Sequence, residues 1–161
     1  MEYTEQLQSI LNTLGKNGVF LTAGKEKPNT MTASWGFCGV MWNKPILIIP
    51  VRPSRFTHDL ILENKEFSVS VPQDSSLNKM LGYFGSVSGR NTDKYSAQNI
   101  TPVKSKDIDT FVMPNNCINF ECKLIYQNNI LKERLDENSI DKFYKDNSYH
   151  TMFYGEILSA Y

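Results

Sequence analysis

From Val19 to Val51 the chain turns back on itself too often to hold anything but short strands. Strand-like runs at residues 19–23, 30–34, 37–41 and 46–51 are separated only by brief Gly-, Pro- and Asn-containing punctuation, such as the turn at 24–28. A parallel pair needs a crossover of about a dozen residues, so this spacing predicts antiparallel pairing. Further runs at 67–71, 117–126 and 151–158 extend the pattern. Many short strands with few helices predict a mainly β fold, closed or nearly closed into a barrel, because closure removes exposed sheet edges.

Helical signals are fewer. Leu7, Ile10, Leu11 and Leu14 recur at helical spacing before Gly15 and Gly18 stop the pattern, which predicts a helix across the sheet. Ser54 or Thr57 is placed to cap a second helix running to about Glu63, with Asn64 as its stop, and Ser75 or Ser76 to cap a third through Leu81. Residues 85–89 read as a Gly/Ser-rich loop and 91–97 as a helical turn. With 161 residues and neither a Pro/Gly/Ser-rich linker nor an internal repeat, one domain spanning 1–161 with a single core is expected.

Charge and cysteine content disfavour several classes of function. The 17 basic and 17 acidic residues cancel, so the chain lacks the electrostatic footprint of a nucleic-acid or anionic-membrane binder. No apolar run approaches the roughly 20 residues that span a bilayer, and the N-terminal MEYTEQLQS lacks the basic and apolar regions of a secretory signal, so the expected location is cytoplasmic. Cys38, Cys117 and Cys122 are odd in number and lack CxxC spacing, which suits a reducing compartment. Cys117 and Cys122 fall on opposite faces of a regular strand, so no metal site is expected.

Four segments carry side chains suited to a site. In NTMTASW (29–35) the hydroxyls of Thr30, Thr32 and Ser34 alternate with apolar or small residues ahead of Trp35. Such a strand can approach a planar heterocycle, although an ordinary strand whose tryptophan fills the core is the alternative. VRPSRFT (51–57) follows an apolar strand and sets Arg52, Ser54, Arg55 and Thr57 around a helix start, where unpaired amides and guanidinium groups favour a phosphate. Solvated surface arginines are the alternative there. GSVSGRNTDK (85–94) offers close backbone approach and anion-binding serines, features that surface turns share. In YHTMFYGEI (149–157) His150 stands at a strand start; His58 lies inside the second helix, and no GxSxG elbow supports a hydrolase triad. Trp42, beside a turn, reads as structural.

Together NTMTASWGFCGVMWNKP, VRPSRFT, SGRNTDK and HTMFYGE resemble the flavin reductase-like, FMN-binding split-barrel family, over roughly residues 19–158. The resemblance implies a six-stranded Greek-key split barrel with a few short helices, assembled as a homodimer with FMN near the subunit interface. It implies Asn29, Thr30, Thr32 and Ser34 against the polar rim or ribityl chain of the flavin, with Trp35 near its ring. Arg52, Ser54, Arg55 and Thr57 are implied on the phosphate and ribityl chain. Ser86, Ser88, Gly89, Arg90 and Lys94 are implied to border the flavin, with Asn91 departing from the aspartate common in that loop. On the N1/O2 side of the ring, the charge of Lys94 would stabilise the anionic reduced form. His150 is implied at the open face, orienting a nicotinamide or protonating an acceptor. Longer relatives carry a C-terminal extension over the active site; the expectation here is that this cover is missing or comes from the partner subunit.

The expected function is that of an FMN-dependent oxidoreductase. It would take hydride from NAD(P)H, bound transiently because no GxGxxG follows a strand, and pass electrons to free flavin, a small acceptor or a partner protein. A non-enzymatic FMN-binding electron carrier and a split barrel holding another ligand, such as haem, are the alternatives.

Overall fold

The computed structural model describes residues 3–114 and 116–161. In chain order its elements are α1 (Thr4–Thr13), β1 (Val19–Ala23), β2 (Asn29–Ala33), β3 (Phe37–Met41), β4 (Lys44–Val51), α2 (Phe56–Asn64), β5 (Glu66–Pro72) and α3 (Asn78–Ser86). They continue with α4 (Lys94–Ala97), β6 (Val103–Lys104), β7 (Phe111–Val112), β8 (Cys117–Asn129), α5 (Glu137–Phe143) and β9 (Thr151–Ala160). All strands except the small β6–β7 hairpin join one antiparallel sheet of 7 strands, one more than expected, in the order β2-β1-β5-β8-β9-β4-β3.

That order makes β2 and β3, consecutive in sequence, the opposite edges of the sheet. A flat sheet of 7 strands would hold its edges about 29 Å apart. The link Ser34-Trp35-Gly36 lets Ala33 and Phe37 separate by at most about 14 Å. The sheet therefore curls until its edges approach across a seam, where β2 touches β4 and, among the described residues, no ladder joins β2 to β3. This is a mainly β, Greek-key split barrel. Gly36 is pressed onto β4 at the seam: a Cβ there would stand 2.9 Å from the Ile48 carbonyl oxygen. The Gly15 amide, just after α1, donates to the Ser34 carbonyl at 2.8 Å and fixes the link from the other side.

Alternation along the strands divides the packing. Val19, Leu21, Leu47, Ile49, Phe67, Val69, Phe120 and Phe153 fill the interior with Leu7 and Ile10 of α1 and Ile61 of α2. Outside the sheet, Phe20 packs with Leu77, Leu81, Phe84, Tyr95 and Met113, so α3 and α4 cover β1. Burial on both faces explains why residues 19–23 show no alternation, with Thr22, the one polar residue, bonded to the Thr30 hydroxyl. Cys122 lies in the interior and Cys117 against the outer cluster, the opposite faces that their spacing predicts.

Several local expectations are corrected. Leu11 is 52% exposed, because Leu7, Ile10 and Leu14 already form the buried stripe of α1. Neither Ser54 nor Thr57 caps α2; Arg55 takes the extended N-cap position with no side-chain cap, and Lys65, at φ 60°, turns the chain out of the helix after Asn64. Asp74, accepting from the Ser76 amide at 2.8 Å, caps the turn into α3 in place of Ser75 or Ser76. The helix then continues beyond Leu81 to Ser86, so Gly85 and Ser86 belong to its last turn. The hairpin β3–β4 turns on Trp42 and Asn43, both with positive φ (54° and 57°). No helix among the described residues is long and apolar enough to cross a membrane.

At Gly155 on β9 the interior has no room for a side chain: a Cβ would stand 2.5 Å from Cζ of Phe67 and 2.7 Å from Cβ of Cys122. Gly155→Ala should therefore destabilise the fold by about 1–3 kcal/mol through overpacking, seen as a lower urea midpoint at unchanged slope.

Candidate functional site

Along the seam, two cavities of about 190 and 100 Å³ lie side by side and share Met31 and Arg55. Ser34, Trp35, Pro50, Arg52 and His150 line the larger; Asn29, Ser54, Thr57, Ser88, Gly89 and Lys94 line the smaller. Each is smaller than the roughly 300 Å³ of a self-contained ligand pocket. Joined through Met31 and Arg55, they make one groove with an aromatic end and an anion-seeking end.

The anion-seeking end is the start of α2. No side chain caps this helix, and its first residues, Phe56 and Thr57, line the smaller cavity; the His58 amide already donates to the Arg55 carbonyl at 3.0 Å, so the amides ahead of it and the positive end of the dipole are what this end offers. Arg55 is exposed, and its guanidinium makes no hydrogen bond or ion pair with any described residue. Behind it, Asn29 donates from Nδ2 to Oγ1 of fully buried Thr57 at 2.8 Å, tying β2 to α2 across the seam. Gly89 is pressed against that same carboxamide, leaving no space for a Cβ. Lys94, only 4% exposed, donates to the carbonyls of Thr30 (2.7 Å) and Phe84 (3.0 Å), joining β2 to α3. Burial, reinforced by the charge of Arg55, depresses its pKa to about 8, so near neutral pH it still contributes positive charge to this end.

At the other end Trp35 is 42% exposed, not a core residue, and stands 5.3 Å from the His150 ring and 5.1 Å, edge-on, from Phe143. His150 is 9% exposed and its Nδ1 lies 2.9 Å from the Tyr144 hydroxyl. Burial first, then the charges of Arg52 and Arg55, lower its pKa to about 4, so the ring is neutral at pH 7. It can donate or accept a hydrogen bond in the groove, but it does not arrive there as an imidazolium acid. Arg52 lines the cavity with its guanidinium already engaged, donating to Asp146 at 2.7 Å and to the Phe143 carbonyl at 2.6 Å.

Other predicted residues commit their polar groups to holding the fold, although Thr32 also lines the larger cavity. Strand alternation sends Thr30 and Thr32 to the face opposite Asn29 and Met31. The Thr30 hydroxyl lies in a buried chain between those of Thr22 and Tyr95, and Thr32 donates to the Leu81 carbonyl at 2.6 Å, docking α3. Ser86, in the last turn of α3, donates back to the Tyr83 carbonyl at 3.2 Å. Arg90 pairs with Asp59 of α2 at 2.6 Å and lies over the Phe56 ring, holding the 87–93 loop against that helix. The Ser88 hydroxyl accepts from the Arg90 amide at 3.3 Å.

Sequence reasoning missed Phe143, Tyr144 and Asp146, which flank the aromatic end. The available signal was the density of aromatics between Phe143 and His150. Among the described residues, no group of His, Cys, Asp or Glu side chains converges as a metal site.

The fold and groove define a split barrel with a binding groove at its seam, and the sequence gives its family: the flavin reductase like domain matches residues 13–161, and the chain belongs to that family. An uncharacterised protein of Archaeoglobus fulgidus is 30% identical over 138 residues, 86% of this chain and 67% of that protein. The Escherichia coli protein YddH is 28% identical over 84% of this chain, which spans 62% of its length. Among solved structures, flavoredoxin of Methanosarcina acetivorans superposes with a TM-score of 0.67 at 29% identity, covering 89% of this chain and 67% of its own. An NADH:FAD oxidoreductase of Streptomyces globisporus, in complex with NAD and FAD fragments, shares the fold with a TM-score of 0.67 at 19% identity, covering 99% and 83%. The family supports flavin binding and flavin reduction as the chemistry of this chain.

The depressed pKa of His150 has a consequence for stability. Between its ordinary value of 6.5 and about 4, the unfolded chain binds a proton that the folded chain does not. Stability is then fully present above pH 6.5 and falls as the pH drops toward 4. Removing the imidazole with His150→Gln should flatten this limb by about 1–3 kcal/mol, measured by urea unfolding of the flavin-free protein at both ends of the window.

Proposed function

We propose that this chain is an FMN-dependent oxidoreductase that takes hydride from NAD(P)H and passes electrons to free flavin, a small acceptor or a partner protein. The observation that carries the reading is the uncapped N-terminus of α2, with unpaired Arg55 beside it, opening into a groove whose far end holds Trp35 and His150. A planar ring bearing a phosphate at the end of a flexible chain matches that sequence of surfaces.

The residues present fit FMN. The first-turn amides of α2, Ser54, Arg55 and Ser88 would hold the phosphate, with Lys94 adding charge from the wall. Asn29 and Thr57 shape this end from below, and Gly89 lets the loop backbone close in. Ser34, Trp35 and Pro50 would border the ring. When bound, FMN supplies the hydride-accepting centre, and the protein supplies orientation and electrostatics. His150, neutral and at the edge of the groove, orients a nicotinamide or acceptor through a hydrogen bond; with a pKa near 4 it is not a strong proton donor at pH 7. Thr30, Thr32, Ser86 and Arg90 serve this site by holding β2, α3 and the loop in place, and Arg52 by holding the segment after α5.

A second copy of the chain belongs to the same proposal. Phe37 and Val40 of β3 are each 60% exposed, and Met41 and Trp42 continue the apolar surface along this unpaired edge. Joined only along one side, a groove of this size leaves much of a flavin uncovered, and an adjacent subunit would supply the remaining wall.

The defining experiment is anaerobic mixing of the FMN-loaded protein with NADH or NADPH. Rapid bleaching of the flavin absorbance supports the reductase; a bound flavin that neither nucleotide reduces would identify an electron carrier instead. Arg55→Ala should weaken FMN roughly 10- to 100-fold by loss of a charge-assisted contact while riboflavin, which has no phosphate, binds nearly as before. Equal weakening of both ligands would place Arg55 against the ring or the fold. Light scattering should report twice the chain mass for the loaded protein, shifting toward the monomer in Val40→Asp.

A further inference from the structure

We propose that Tyr144, clamped by Arg52, is a positioning residue that fixes His150 in the tautomer carrying its proton on Nε2, so that the ring presents an N–H donor to the groove. The inference rests on the reading above that His150 works at the groove, but its first test does not need a flavin.

Tyr144 is 4% exposed, and among the described residues the only partner of its hydroxyl is Nδ1 of His150, at 2.9 Å. Burial raises its pKa above the ordinary phenol value, so the hydroxyl keeps its proton. If Nδ1 carried the imidazole proton and donated it to Tyr144, the phenolic proton would have no acceptor. A buried donor left unpaired costs more than the single bond is worth. The arrangement that satisfies both groups has Tyr144 donating to Nδ1, which places the imidazole proton on Nε2. Nε2 makes no hydrogen bond to a described residue and is left for a ligand.

The clamp explains how Tyr144 is held. It follows α5 on a segment with few other anchors, since α5 buries none of its residues. Arg52, at the end of β4, reaches across to this segment, donating to the Phe143 carbonyl at 2.6 Å and to the Asp146 carboxylate at 2.7 Å. Its guanidinium also lies over the Tyr144 ring, 5.5 Å from the centroid. Tyr149 stacks on the same ring, with ring centroids 4.8 Å apart and planes 17° from parallel. These contacts leave Tyr144 little freedom to swing its hydroxyl from His150. They also give Arg52 a role different from phosphate binding, for which its donors would first have to leave Asp146 and Phe143.

The test reads the ring directly. In the flavin-free protein labelled with ¹⁵N-histidine, long-range nitrogen–proton correlations at neutral pH should show His150 with Nε2 protonated and Nδ1 unprotonated; the reverse pattern overturns the proposal. Tyr144→Phe, which keeps the stacked ring, should let the other tautomer appear. In the FMN-loaded protein it should lower the limiting rate of flavin reduction about 5- to 10-fold, the loss of one hydrogen bond, with FMN affinity within about 2-fold of wild type. Arg52→Met should loosen the same segment and reproduce the change in tautomer pattern. Wild-type tautomer populations in both variants would overturn the positioning role. If the protein proves not to reduce flavin at all, the tautomer measurement still decides this inference on its own.

Discussion

The three-residue link between β2 and β3 is the constraint on which the rest of the structure depends. It ties together the strands that stand at opposite ends of a sheet of 7, and so forces the sheet to curl. Among the described residues no ladder joins the two edges, so the curl stops at a seam. The candidate site is built along that seam from β2, the end of β4, the start of α2 and Trp35 within the link, with His150 at one end and Ser88, Gly89 and Lys94 at the other. The groove is thus a product of topology before any side chain is considered.

Side chains then decide what the groove can hold. Polar groups that a heterocycle or phosphate might have used are largely committed to keeping the walls in register. Lys94 joins β2 to α3, Thr32 docks the same helix, Arg90 holds the loop to α2 and Arg52 secures the segment after α5. Among the described residues, the principal groups left unspent are the first amides of α2, the Arg55 guanidinium and Nε2 of His150. Division of labour of this kind is what preorganisation requires: charge and donors are fixed before a ligand arrives, and little reorganisation is left to its binding.

Much of this was legible in the sequence, and the failures have identifiable causes. The bounds of β1 and β3 coincide with those read from turn punctuation, and the motif around the start of α2 contains the groove's phosphate-seeking residues. The hydroxyl run before Trp35 divides: Thr32 and Ser34 line the larger cavity, whereas the hydroxyls of Thr30 and Thr32 are bonded on the face covered by α3 and α4. Trp35, read by resemblance as a residue near the flavin ring, does stand exposed in the groove, because the topology places it in a link and not in the core. α5 was invisible for a simpler reason: it buries no side chain, so it leaves no apolar period to detect. Its contribution passes instead through Arg52, whose partners lie 91 and 94 residues away in sequence.

The seam also shapes how the protein breathes. Elsewhere in the barrel each strand is held by hydrogen bonds on both sides, whereas β2 and β3 each have a single bonded neighbour, and opening them exposes the interior at least cost. A ligand lying across the groove bridges the line that the backbone leaves unstitched. Present at 100 times its dissociation constant, such a ligand adds about 2.7 kcal/mol to the folded state. That gain falls first on the amides of the two edge strands, so the slowing of their hydrogen exchange would report occupancy of the groove more sensitively than the protection of the core.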